Sequence, residues 1–127
     1  MMEIPDLIAE ARKYAGEFPL SADWMSAGSI SAAILTPSGK VYTGICIDVS
    51  CGIGFCAEHA AVAAMLKDRE TRIEMVVAVD GDGKILPPCG RCRELMLQVN
   101  AENGDARVVV EGQRTVPLKE LLPFRWI

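Results

Sequence analysis

Apolar and polar positions change their period several times along this chain, and each change marks an element. Over residues 5–17, Leu7, Ile8, Ala11, Tyr14 and Ala15 recur at helical spacing. This predicts an amphipathic helix with Pro5 in its first turn and Gly16 and Pro19 ending it. Residues 18–28 carry no period and read as a loop, with Trp24 and Met25 packing on the rest of the molecule. Residues 29–36 and 40–48 read as two strands joined by the hairpin-type connection Pro37-Ser38-Gly39. The second of these mixes β-branched and aromatic residues, as half-buried strands do.

A glycine-bearing turn at 50–54 leads into a helix predicted over 56–68. Its alanines (Ala57, Ala60, Ala61, Ala63 and Ala64) make it narrow enough to lie deep against its neighbours. Within 72–80, Met75-Val76-Val77-Ala78-Val79 is an unbroken apolar run, the pattern of a strand buried on both faces. A third helix begins near Cys89. Its Cys92, Leu95, Met96 and Val99 stand at i, i+3, i+4 and i+7, so Cys92 shares the inward face. Residues 107–111 form a further strand and 117–122 a short helix, ahead of the tail Phe124-Arg125-Trp126-Ile127. Helices alternating with strands after the hairpin predict an α/β layered domain with a mixed sheet.

Composition narrows the class of function. The 127 residues make one domain, 1–127, with no internal repeat or linker. A net charge of −4, with scattered lysines and arginines, argues against a nucleic-acid polymer as partner and favours a small neutral or cationic substrate. No apolar run approaches the roughly 20 residues of a membrane span. The start, Met1-Met2-Glu3-Ile4-Pro5, has neither the basic flank nor the apolar core of a secretory signal. Five cysteines without a disulfide-type spacing predict a cytoplasmic chain with reduced thiols.

The chemistry concentrates in two places, Cys56-Ala57-Glu58-His59 and Pro87-Pro88-Cys89-Gly90-Arg91-Cys92. A lone Cys-x-x-Cys serves redox chemistry or structural zinc equally well. Joined to a Cys-x-Glu some thirty residues earlier, it matches the zinc-deaminase signature in its three-cysteine form. Cys56, Cys89 and Cys92 would supply three zinc ligands and leave the fourth tetrahedral position to water. Both cysteine segments fall at predicted helix starts, where the dipole and free amide hydrogens favour thiolates. Glu58, two residues from a ligand, is placed to move protons, and a carboxyl beside that negative charge should have a raised pKa.

Other readings stay open. His59, the only histidine, could close a structural Cys3His site, and Glu58 could merely satisfy a helix start. Arg91 and Arg93 could offset the thiolate charge or simply solvate their helix. Cys46 and Cys51 read first as small buried apolar residues, and Phe124 and Trp126 as aromatics closing the core.

At these motifs the sequence resembles the cytidine deaminase family, including its blasticidin-S deaminase branch. The likeness runs from residue 28 to 126 and includes Leu121-Leu122-Pro123 near the C-terminus. The resemblance implies a three-layer α/β/α domain with a mixed five-stranded sheet, Zn2+ on Cys56, Cys89 and Cys92, and Glu58 as proton shuttle. It implies that the amides of Ala57 and Cys89 bind the substrate carbonyl, and that His59 bonds a cysteine sulfur where arginine is common. It also implies a homotetramer in which Phe124 or Trp126 caps a neighbouring pocket. Members acting on cytidine carry Asn-x-Glu on the second strand and a Phe ahead of the first. Here the corresponding places hold Cys46, Asp48 and Gly28. The implied activity is deamination of cytidine or deoxycytidine. The alternatives are a cytosine-nucleoside antibiotic such as blasticidin S, another amino-heterocycle, or a non-catalytic zinc-stabilised binding module.

Overall fold

A computed structural model describes residues 2–127. In chain order the elements are α1 (Ile4–Arg12), β1 (Phe18–Pro19), β2 (Ser26–Leu35), β3 (Val41–Asp48), α2 (Ala57–Lys67), β4 (Met75–Asp80), α3 (Gly90–Val99), β5 (Arg107–Glu111), β6 (Arg114–Pro117) and α4 (Leu118–Leu121). The sheet runs β3-β2-β4-β5-β6, antiparallel except for the parallel pair β4 and β5. It is therefore mixed, with six strands rather than the five implied. The extra strand is β1, whose two residues pair with Ala27 and Ser26 at the start of β2.

Side-chain alternation along the strands separates two layers of core. On one face Ala33, Leu35, Met75, Val77, Val79 and Val109 pack against Leu7, Ile8 and Ala11 of α1. On the other, Ile34, Tyr42, Val76 and Val108 meet Ala61, Val62 and Met65 of α2, Met96 and Leu97 of α3, and Leu118 of α4. The result is the expected three-layer α/β/α arrangement. Every β4 residue but Asp80 is buried, as its unbroken apolar run requires.

Several elements differ from expectation. Helix α1 ends at Arg12, not 17, because the chain then turns and Gly16 N–H bonds the Gly28 carbonyl at 2.8 Å. Tyr14 consequently stands 54 % exposed instead of facing inward, and Trp24 is 64 % exposed instead of packed. Strand β2 starts three residues before the predicted 29, since β1 and β3 both pair with Ser26 and Ala27. Strand β6 carries no periodic signal. Its pairing with β5, Val108 opposite Val116 and Val109 opposite Thr115, makes it a strand.

The narrow alanine face of α2 has a partner the pattern did not single out. A Cβ at Gly44 would lie 2.5 Å from both Ala60 Cβ and Ala61 N and 2.7 Å from Ala57 O. Helix α2 therefore rests directly on the β3 backbone. Gly44→Ala is expected to destabilise the protein by about 1–3 kcal/mol, the usual cost of overpacking. A thermal melt checks this, and an unchanged midpoint would contradict the close approach. Asn103, fully buried, ties α3 to the entry of β4. It accepts from Ile73 N–H at 2.8 Å and donates to Thr71 O at 2.9 Å and Met96 O at 3.0 Å.

Candidate active site

Two helix starts converge at one end of the sheet. Cys56 and Cys89 are the N-cap residues of α2 and α3, each with extended backbone. The first start is fixed to β3 by paired bonds between Ile47 and Phe55, at 3.0 and 3.1 Å. Gly54 makes that approach possible, because a Cβ there would collide with the Ile47 carbonyl. The second start is held by Leu86 N–H bonding Ala78 O at 2.9 Å. Arg93 adds a clamp, donating to Pro88 O at 2.7 Å and Leu121 O at 2.9 Å. Arg93 is thus engaged by backbone carbonyls on two elements and is not merely a solvated surface charge. It braces the Pro87-Pro88 loop against the end of α4.

The thiols of Cys56, Cys89 and Cys92 all lie within 4.8 Å of one another, with Cys56–Cys89 at 3.4 Å and Cys89–Cys92 at 3.5 Å. Three sulfurs each ~2.3 Å from one tetrahedral zinc stand about 3.8 Å apart, close to the spacing of this trio. His59 lies outside the trio and places Nδ1 3.4 Å from Cys92 Sγ. That is a hydrogen-bond distance to the Cys92 thiol. Burial, then the Arg91 charge, lowers the His59 pKa, which keeps the ring neutral near pH 7.

The three thiols differ in environment. Cys92 is fully buried, and burial followed by the Glu58 charge pushes its pKa up. Cys56 is raised as well, chiefly by burial. At Cys89 burial also works upward, but hydrogen bonds from the Cys92 backbone, the Cys56 and Cys92 thiols and the Arg91 backbone outweigh it and lower the pKa. Because burial raises Cys56 and Cys92, a cation is needed before all three thiols ionise together. Glu58 is only 4 % exposed, and burial raises its pKa.

A cavity of about 530 Å³ opens on this cluster, lined by Cys56, Ala57, Glu58, Cys89 and Arg91 on the metal side. Cys46 and Asp48 of β3 line the opposite wall, together with Ser29 and Trp24. Ser29 escaped the sequence reading because nothing in its local pattern marks it. Cys46 is buried as expected, whereas Cys51 is exposed in the turn after β3. Phe124 and Trp126 do not close the core: they are 93 % and 82 % exposed and do not line this cavity.

A three-layer α/β/α fold that gathers three cysteine thiols at the floor of a cavity, with a buried carboxyl lining it, points to the class of thiolate-zinc hydrolases. Comparison with known proteins narrows the class. No protein-family model matches the chain. The cytidine deaminase of Mycobacterium tuberculosis is 37 % identical over 97 residues, spanning 75 % of this chain and 70 % of that protein. The blasticidin-S deaminase of Bacillus cereus is 26 % identical over 109 residues, 76 % of each. A crystal structure of the M. tuberculosis cytidine deaminase superposes with a TM-score of 0.83 at 30 % identity, covering 100 % of this chain and 99 % of that one. The chain belongs to the cytidine deaminase family. It is accordingly a zinc-dependent aminohydrolase of that type, with Zn2+ as cofactor.

Proposed function

We propose that the protein hydrolyses cytidine or deoxycytidine to uridine or deoxyuridine and ammonia, with Cys56, Cys89 and Cys92 holding zinc and Glu58 moving the protons. The observation that carries this reading is the buried Glu58 carboxyl lining one cavity with Cys56 and Cys89, whose thiols and that of the buried Cys92 all lie within 4.8 Å of one another. A closed structural zinc site needs no such acid.

Zinc bound to three thiolates supplies a Lewis-acidic position at which water becomes a nucleophile near neutral pH. Glu58 takes a proton from the attacking water as its oxygen bonds the ring carbon bearing the amine. It passes that proton to the adjacent ring nitrogen, then takes the remaining proton of the added hydroxyl and delivers it to the departing amine. The carbon–nitrogen bond then breaks and ammonia leaves. A carboxyl whose pKa is raised by burial holds and releases protons closer to neutrality than an exposed one. The amides of Ala57 and Cys89, at helix starts with unpaired donors, hold the substrate carbonyl. Neutral His59 donates to the Cys92 sulfur, and Arg91 offsets the negative charge of the site.

On the far wall, Asp48 and Cys46 face the part of the substrate remote from the amine, and Trp24 offers an aromatic face. The exposed Phe124 and Trp126 cap the cavity of a neighbouring copy in a homotetramer. The chain acts as a single domain, 1–127, in the cytoplasm, on a small molecule and not on a nucleic-acid polymer. No helix among the described residues is long and apolar enough to cross a membrane.

Ammonia release from cytidine, deoxycytidine, blasticidin S, aminopurines and pterins tests the reading. Cytidine and deoxycytidine are expected to be turned over with the highest kcat/KM. Preference for blasticidin S would move the assignment to that branch of the family. No release from any compound, with zinc stoichiometric, would leave a binding module.

A further inference from the structure

The segment that delivers Cys89 to the site has few backbone bonds of its own. Leu86 N–H is bonded to Ala78 O, and the next two residues, Pro87 and Pro88, have no N–H to donate. The proline ring fixes φ at Pro88 but leaves ψ free, so the Pro88–Cys89 peptide could face either way. Arg93 decides which. Its Nε donates to Pro88 O at 2.7 Å, the short end of the range for a charged donor, and its Nη1 donates to Leu121 O at 2.9 Å. Leu121 closes α4, where the last carbonyls lack helical partners. A trans peptide points its C=O and N–H in opposite directions, and this one is trans. Holding the Pro88 carbonyl on Arg93 therefore leaves the Cys89 N–H facing away from Arg93, and no acceptor among the described residues takes it. Pro87 and Cys89 line the cavity, whereas Arg93 does not.

We propose that Arg93 is a positioning residue for substrate binding: it sets the Pro88–Cys89 peptide so that the Cys89 amide points into the cavity at the substrate's ring carbonyl. This rests on the reading above that this amide holds that carbonyl. The geometry explains the residue type. Two carbonyls on separate elements need two donors in one rigid plane, which a guanidinium has and an ammonium lacks. A cation on the carbonyl also polarises the peptide and strengthens its N–H as a donor. The Cys89 sulfur has its own supports, the Cys56 and Cys92 thiols and backbone bonds from Arg91 and Cys92. Losing the Arg93 fork therefore frees the peptide without removing the ligand. Because the ring carbonyl is not the reacting group, the loss weakens binding and leaves the chemical step alone.

Steady-state kinetics on the zinc-loaded protein tests this with cytidine and 2-thiocytidine, in which a weakly accepting sulfur replaces the ring carbonyl oxygen. The unaltered protein is expected to show a KM about tenfold higher for the thio compound, the upper end for one neutral hydrogen bond. Arg93→Met keeps the apolar stem and removes the fork. It should raise KM for cytidine about tenfold, keep kcat within about threefold and leave KM for 2-thiocytidine within about twofold, since the bond it spoils is already weak there. Zinc should stay at one equivalent. Calorimetric binding of uridine, which carries the same ring carbonyl, should weaken by the same factor without turnover.

Arg93→Lys, which keeps the stem and one charged donor for Pro88 O, should fall between the two proteins, and gives the same readout should Arg93→Met fold poorly. Equal losses on both nucleosides, a fall in kcat alone, loss of zinc, or a lysine variant no better than methionine would each overturn the role of Arg93. Equal KM values for the two nucleosides in the unaltered protein, or no turnover of cytidine by it, would instead overturn the reading on which the role rests.

Discussion

Replacing Glu58 with glutamine is expected to lower kcat/KM for the deaminated nucleoside by about 10²–10⁴-fold, the usual worth of a positioned general acid–base. The substitution keeps the volume and the hydrogen-bonding reach of the side chain and removes only its ability to accept and release a proton. Stability should not fall, because a carboxyl 4 % exposed with a pKa already raised by burial is costly to ionise, and an amide avoids that cost. Zinc should stay at one equivalent, since the sulfurs of Cys56, Cys89 and Cys92 are untouched. Stopped and steady-state assays together with metal analysis separate these quantities. A loss below about tenfold with zinc retained would mean that Glu58 does not carry the proton.

The second large effect is on the metal. Cys89→Ser is expected to reduce zinc affinity by more than about a hundredfold, beyond what loss of a bond supporting a ligand costs. Cys89 is the informative choice because it is exposed, so its removal leaves no cavity, whereas Cys92 is packed in the core beside Met96. Its pKa is also the one of the three that its surroundings lower. Activity should fall with zinc content and should not return on adding reductant. Cys51→Ser is the control: that thiol is exposed and outside the cluster, and its loss should change neither zinc content nor rate. Full zinc occupancy in Cys89→Ser would remove Cys89 from the ligand set.

The zinc-binding pattern was legible in the sequence because its geometry is mostly local. Cys56 and Cys89 sit where a turn hands over to a helix, and the Cys89–Cys92 spacing is a single helical turn. The buried strand β4 was legible for a similar reason, as an uninterrupted apolar run needs no knowledge of its neighbours. What escaped depends on pairing across distance. Strand β1 exists only because two residues lie beside the start of β2, and β6 only because β5 offers it a ladder. Ser29 joins the cavity through a slip in register that no local pattern records. Arg93 and Asn103 look like ordinary polar residues until the carbonyls they serve, on separate elements, are brought to them. The tail aromatics show the converse: Phe124 and Trp126 carry core-like side chains, yet nothing within one copy of the chain covers them.

Metal analysis with zinc X-ray absorption on the reduced, purified protein tests the central claim most directly. The account predicts one zinc per chain bound by three sulfurs at ~2.3 Å and one light-atom ligand that substrate analogues perturb. A protein that holds no zinc under these conditions, or whose fourth ligand is the His59 imidazole and unresponsive to analogues, would contradict it.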